Sequence, residues 1–194
     1  MSNEILEENS KFKFFISKVK ENLKIIWITG ITAVVCLLLI FFFYKRNDYQ
    51  NNLLSEKFNK AKILTQDEKN DEALIIFNEI IEKKNKFYSP LSLYFVIENN
   101  LINDPEIVIK LFDKVISNRK IDKENKNLIK IKKAIFLLNQ NEEQKVSEIL
   151  NPIINSNSIW RNDAIRLLGD YFYHKGEEIK ASEYYKLLNT KSDK

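Results

Sequence analysis

The residues of this chain that could do chemistry are few and lie far apart. His174 is the only imidazole and Cys36 the only thiol, so one chain cannot form a multi-histidine metal site, a disulfide or a cysteine-based zinc site. The three glycines are too scattered to form a phosphate-binding loop. A catalytic site needs acids, bases or nucleophiles that converge. We therefore expect no catalytic, metal-binding or cofactor-binding residues and no small-molecule substrate.

Paired carboxylates are the remaining candidates for acid–base chemistry. Four pairs are Asp67/Glu68, Asp71/Glu72, Glu142/Glu143 and Glu177/Glu178. They lie in or beside predicted turns, where a carboxylate more often starts the following helix and complements its dipole. We interpret the chain as non-enzymatic.

The composition favours helices over other structures. Only three Gly and three Pro occur among 194 residues, too few for the turns of an all-β domain. The net charge of +4 is spread along the chain, because lysines and glutamates alternate and no basic patch or tail stands out. We therefore expect no binding to nucleic acid.

One segment is long and apolar enough to cross a membrane. Residues 25–44 contain no charged side chain, and such a helix spans roughly 30 Å, the thickness of the hydrocarbon core. Trp27 and Tyr44 lie near its ends, where aromatic residues favour the membrane interface. A cleaved signal peptide is the alternative. However, the leader, residues 1–24, carries acids as well as lysines, and no small-residue cleavage pattern follows. We predict an uncleaved signal anchor.

The flanking charges predict the orientation of this anchor. Five lysines precede it in residues 1–24, whereas Lys45, Arg46 and Lys57 follow it. The imbalance favours a cytoplasmic N-terminus and an exported domain at residues 45–194. Apolar residues recur at helical spacing between the lysines of the leader. The leader is therefore either an amphipathic helix on an anionic membrane surface or a segment that only sets topology.

The rest of the chain shows helical periodicity, interrupted every 15–20 residues. We predict breaks at residues 66–70, 87–90, 103–105, 118–123, 139–142, 155–158 and 175–177. This rhythm is typical of helical hairpins. The last hairpin matches the tetratricopeptide (TPR) pattern most clearly. Gly169 and Ala181 predict a close helix crossing, Phe172 and Tyr185 fill the space beside it, and Gly176 predicts left-handed backbone after the first helix.

Earlier hairpins repeat this pattern more faintly. Ala73, Val108, Val146 and Ala181 are 35, 38 and 35 residues apart, and the ideal TPR period is 34. We predict an all-α fold in which one N-terminal transmembrane helix precedes a TPR-like α-solenoid of about four hairpins. An ordinary helical bundle with accidental spacing is the alternative.

In a TPR solenoid, the first helix of each hairpin lines a groove. The pattern places on that face Leu93, Ile97, Ile131, Ile135, Leu138, Arg166, Asp170 and Tyr173. Most of them are apolar, which suits an extended, partly unfolded protein segment. The alternative is that several of them pack against neighbouring helices instead.

The chain resembles the ancillary subunits of the SecYEG translocon, or YfgM-like proteins, of Gram-negative bacterial inner membranes. The resemblance rests on the short charged leader, the single anchor, the sequence Tyr88-Ser89-Pro90-Leu91 and the block from Trp160 to Tyr185. It implies a cytoplasmic N-terminus and a periplasmic repeat domain in the inner membrane. It also implies association with SecYEG, with periplasmic chaperones such as PpiD and with exported clients. A structural scaffold subunit of another envelope complex, acting through its anchor, is the alternative function.

Overall fold

The computed structural model describes residues 22–189. These residues form eight α-helices and one short 3-10 turn, Leu187–Asn189. The helices are α1 (Leu23–Gln66), α2 (Asn70–Glu82), α3 (Tyr88–Glu98), α4 (Pro105–Ile116), α5 (Lys123–Leu138), α6 (Glu143–Ile154), α7 (Arg161–His174) and α8 (Glu178–Lys186). No strand occurs in the part of the chain that the structure describes. The predicted amphipathic helix in the leader lies outside these residues.

The chain divides into two compact units between Asn52 and Leu53. Within the first unit, the side chains from Trp27 to Gln50 are all exposed, although most of those up to Tyr44 are apolar. This part of α1 is long and apolar enough to cross a membrane, judged by length and composition. The second unit contains the remaining helices and all of the buried core.

The second unit is a TPR-like solenoid of four helical hairpins. Residues 53–66 of α1 pair with α2, since Phe58 and Phe77 pack in one core cluster. The other hairpins are α3/α4, α5/α6 and α7/α8. Its core consists of three apolar clusters, and each cluster joins neighbouring hairpins. Val96 of the second hairpin packs in the cluster of the first, for example, and Ile129 of the third in that of the second. Packing between adjacent hairpins alone is what defines a solenoid.

The turns inside the four hairpins share one geometry. Each has a residue with positive φ at the same place, Glu68, Asn100, Asn141 or Gly176. The Gly176 N–H donates to the Tyr173 carbonyl at 3.0 Å, and the next N–H, of Glu177, donates to the Phe172 carbonyl at 2.9 Å. The other three turns form the same pair of bonds. This is the Schellman motif, and the predicted left-handed conformation of Gly176 is confirmed.

Most of the predicted breaks are confirmed as turns between helices. Residues 87–90 are the exception, because α3 begins at Tyr88 and Pro90 lies in its first turn. Proline is tolerated there, since the first backbone N–H groups of a helix have no partner within it. The Asn85 side chain accepts hydrogen bonds from the N–H groups of Phe87 and Tyr88, both at 2.9 Å, and so starts the helix.

The close crossing of the last hairpin differs in detail from the sequence-based expectation. A methyl group at Gly169 would lie 2.5 Å from Cε1 of the Tyr185 ring, so the missing side chain makes room for this ring. The Tyr185 hydroxyl donates to Oδ1 of Asp170 at 2.7 Å, which holds the ring across the glycine. Ala181 is buried, as expected, but the nearest neighbour of Gly169 is Tyr185.

Substitution of Gly169 should therefore depend on Tyr185. We expect Gly169→Ala to destabilise the domain, because displacing a packed side chain costs roughly 1–3 kcal/mol. In a Tyr185→Ala background the same change should be neutral or stabilising, because alanine favours a helix over glycine by about 1 kcal/mol. Chemical denaturation of the full chain in detergent micelles, followed by circular dichroism, measures this coupling. Equal effects in both backgrounds would show that the ring does not pack on Gly169.

Candidate binding cleft

A cleft of about 180 Å³ separates the first helices of the second and third hairpins. We call it the α3–α5 cleft. Its lining residues are Tyr94, Ile97 and Glu98 of α3, Phe112 of α4, Lys132, Ile135 and Phe136 of α5, and Asn139 directly after α5. Five of these eight side chains are apolar or aromatic. Ile135 is 45% exposed, which is a large fraction for an isoleucine within a core-forming helix.

Helical spacing places these side chains on one face. Tyr94, Ile97 and Glu98 are three and four residues apart, so they lie next to each other along α3. The adjoining side chains Leu93 of α3 and Ala134 of α5 are fully buried and fix both helices in the core. The Phe112 and Phe136 rings lie 6.1 Å apart and form one wall of the cleft. The cleft is therefore carried by the packed framework of the domain.

The charges at the cleft balance each other. Nζ of Lys132 lies 4.6 Å from the centre of the Tyr94 ring and 3.9 Å from Oε1 of Glu98. An exposed ion pair of this kind contributes at most about 1 kcal/mol, and a cation above an aromatic ring contributes a similar amount. The cleft consequently has no excess charge with which to select a charged peptide terminus.

Burial raises the pKa of the Tyr94 phenol to about 12, and the neighbouring Glu98 carboxylate adds to this effect. Both causes disfavour the phenolate, the first through loss of solvation and the second through repulsion. The Tyr94 phenol therefore keeps its proton to a more alkaline pH than a free tyrosine, and its ring lies against Lys132.

Two of the eight residues predicted to line a groove lie in this cleft, namely Ile97 and Ile135. Leu138 is half-buried and packs against the core cluster of the third and fourth hairpins. Leu93 and Ile131 need correction, because their exposed fractions are 0% and 7% and neither can contact a partner. The structure shows the alternative for these two residues, namely that they pack in the core of the repeats.

The misplacement of Leu93 has a specific cause. The turn between α3 and α4 runs from Asn99 to Asp104 and is three residues longer than the turn between α7 and α8, which runs from Lys175 to Glu177. The predicted groove positions of α3 are counted backward from Val108 in α4. The longer turn therefore shifts them by three residues. Counted from Asn100 instead, Leu93 takes the place of Gly169 at the helix crossing, and Tyr94 moves to the groove face. The residue with positive φ, which recurs in every hairpin turn, is the signal that places Tyr94 on the groove face.

The three predicted residues of the fourth hairpin lie elsewhere. Arg166, Asp170 and Tyr173 are exposed on α7, but none of them lines the α3–α5 cleft. Asp170 accepts the hydrogen bond from Tyr185, so its carboxylate supports the packing of the last hairpin. Tyr173 lines a separate cleft between α7 and α8.

The residues considered for chemistry remain dispersed in the structure. Within residues 22–189, no three His, Cys, Asp or Glu side chains come close enough together to hold a metal ion. His174 lies exposed in the last turn of α7. Asp71, Glu72, Glu143 and Glu178 lie in the first turns of their helices, the position predicted for such carboxylates.

Comparisons with protein-family models, curated proteins and solved structures give no match to this chain.

The raised pKa of Tyr94 predicts a loss of stability at alkaline pH. In the unfolded chain the phenol ionises near pH 10, whereas the folded chain keeps its proton to about pH 12. Between these values the unfolded state binds fewer protons, so the free energy of unfolding falls as pH rises. Melting temperatures measured from about pH 9 to about pH 11 should fall less steeply for Tyr94→Phe than for the parent. Tyr49→Phe, outside the cleft, is the control and should follow the parent.

Proposed function

We propose that this chain is a membrane-anchored, non-enzymatic repeat protein that binds segments of other proteins in the α3–α5 cleft. The observation that carries the proposal is the open, mainly apolar lining of the cleft between two packed helices, which includes the exposed side chain of Ile135. Exposed apolar side chains on a rigid framework are a common form of peptide-binding site.

The size of the cleft favours a protein ligand over a small molecule. Pockets for small molecules usually enclose about 300–1,000 Å³, whereas this cleft measures about 180 Å³. It fits one large apolar side chain of a partner. The balanced charges of Lys132 and Glu98 further favour an uncharged, extended segment over a charged chain end.

The membrane part of the proposal rests on α1. Its apolar part is fully exposed and long enough to span the hydrocarbon core. The excess of lysines before residue 25 supports a cytoplasmic N-terminus, and the resemblance to YfgM-like proteins supports the bacterial inner membrane with a periplasmic repeat domain. The partners that this resemblance supports are SecYEG, periplasmic chaperones such as PpiD and exported clients.

A second candidate function is that of a scaffold subunit which stabilises another envelope complex through its anchor. The exposed apolar surface from Trp27 to Tyr44 favours this alternative. The hydroxyls of Thr29 and Thr32 donate to helix carbonyls at 2.8 Å, so both side chains lie close against the helix and other helices can approach there. The two functions differ in whether partner binding depends on the cleft.

Two single serine substitutions, one at Ile135 and one at Ile131, distinguish an effect on binding from an effect on folding. Ile135→Ser should weaken photo-cross-linking of the full chain to translocating clients and to chaperones severalfold, with nearly unchanged melting. Ile131→Ser, one turn away and buried, should instead lower the stability by roughly 2–5 kcal/mol. Full cross-linking by a well-folded Ile135→Ser protein would contradict binding in the cleft and favour the scaffold function.

Fusion reporters test the proposed orientation. An alkaline phosphatase fused after Lys194 should be active, because this enzyme folds only outside the cytoplasm. A fluorescent protein that matures only in the cytoplasm should remain dark at the same position. The reverse pattern would place residues 45–194 in the cytoplasm and exclude a periplasmic function.

A further inference from the structure

A second cleft, of about 460 Å³, lies on the outer face of the last hairpin. Its lining residues are Tyr173 of α7, Glu178, Ala181, Ser182, Tyr185 and Lys186 of α8, and Asn189. We call it the α7–α8 face. Near it, Ile179 is 80% exposed, which makes it the most exposed large apolar side chain among the described residues.

The corresponding face of the preceding hairpin is covered. The equivalents of Tyr185 and Asn189 in α6, 35 residues earlier, are Leu150 and Ile154, and both are buried in the core that α6 shares with α7. Within residues 22–189 no helix packs against α8 in the way that α7 packs against α6. In a repeat protein the next repeat normally covers such a surface with a helix, whereas the α7–α8 face has no such helix among the described residues.

This face carries two exposed side chains of opposite charge, Glu178 and Lys186. No ion pair to Glu178 or Lys186 forms among the described residues, whereas their neighbours Glu177 and Lys180 pair at 2.6 Å. Eight residues separate Glu178 from Lys186, which is about 12 Å along the helix. Ser182, a small residue, lies midway between them.

We propose that a second copy of this chain covers the α7–α8 face, with the two α8 helices packed antiparallel about a two-fold axis at Ser182. In this arrangement Glu178 of each copy faces Lys186 of the other, so both charge pairs form at once. Such an interface is isologous, the commonest type in homodimers. The small, exposed side chain of Ser182 allows close approach, and the rings of Tyr173 and Tyr185 supply apolar contact area.

Cysteine cross-linking of the full chain in detergent micelles tests the contact directly. In a Cys36→Ser background, which removes the natural thiol from the anchor, Ser182→Cys should give a disulfide-linked dimer on mild oxidation. Asn151→Cys, exposed on α6, is the matched control and should give at least tenfold less dimer. Equal yields for the two cysteines would overturn the proposal.

Charge reversal tests the register and excludes dimerisation through the anchor alone. Glu178→Lys or Lys186→Glu, each combined with Ser182→Cys, should reduce the linked dimer about tenfold, because two attractions become two repulsions. A mixture of the two variants should recover the parent yield as a heterodimer, in which both pairs are again opposite in charge. Circular dichroism should show unchanged folding, since both side chains are exposed. Parent-like linking by the single variants, or no recovery in the mixture, would overturn the proposal.

Discussion

A hairpin of two short helices cannot bury its apolar face alone, and this constraint determines most of the domain. Helices of 9 to 16 residues follow α1, and each presents one apolar stripe that needs a neighbour. The three core clusters meet this need by joining successive hairpins. The Schellman turns reverse the chain inside each hairpin, so that every second helix follows its first helix through the same turn geometry.

The second hairpin departs from the others at the helix crossing. Ala61, Ala134 and Gly169 occupy the crossing in the other three hairpins, whereas Leu93 occupies it here. A larger side chain keeps two helices further apart, and α3 packs less closely against α4 than α7 does against α8. Because Phe112 of α4 reaches the α3–α5 cleft, we attribute the cleft in part to this wider hairpin. The second hairpin therefore departs from the pattern in two ways, since its longer turn changes the spacing of the repeat and Leu93 at the crossing contributes to the cleft.

Much of this fold follows from the sequence, because its strongest signals are local. The uncharged run, the hairpin rhythm and the left-handed Gly176 each depend on residues close together in the chain. The register of α3 could not be obtained in the same way. The extra residues after Asn100 include Leu101 and Ile102, which pack beside the core and resemble helix residues in pattern. The contact of Tyr185 with Gly169 depends on the path of a side chain between helices, which the repeat period does not specify.

The size of the α3–α5 cleft limits how tightly it can hold a partner. Burial of one large apolar side chain contributes about 1.5–3 kcal/mol, whereas association in solution costs an estimated 4–15 kcal/mol of lost freedom. The cleft alone therefore cannot retain a free protein. Attachment to a membrane changes this balance, because tethering two partners to one assembly raises their effective concentration to the millimolar range. In the proposed function, α1 holds the chain at the membrane beside clients and chaperones gathered there, so a weak contact at the cleft suffices and allows each of them to leave again.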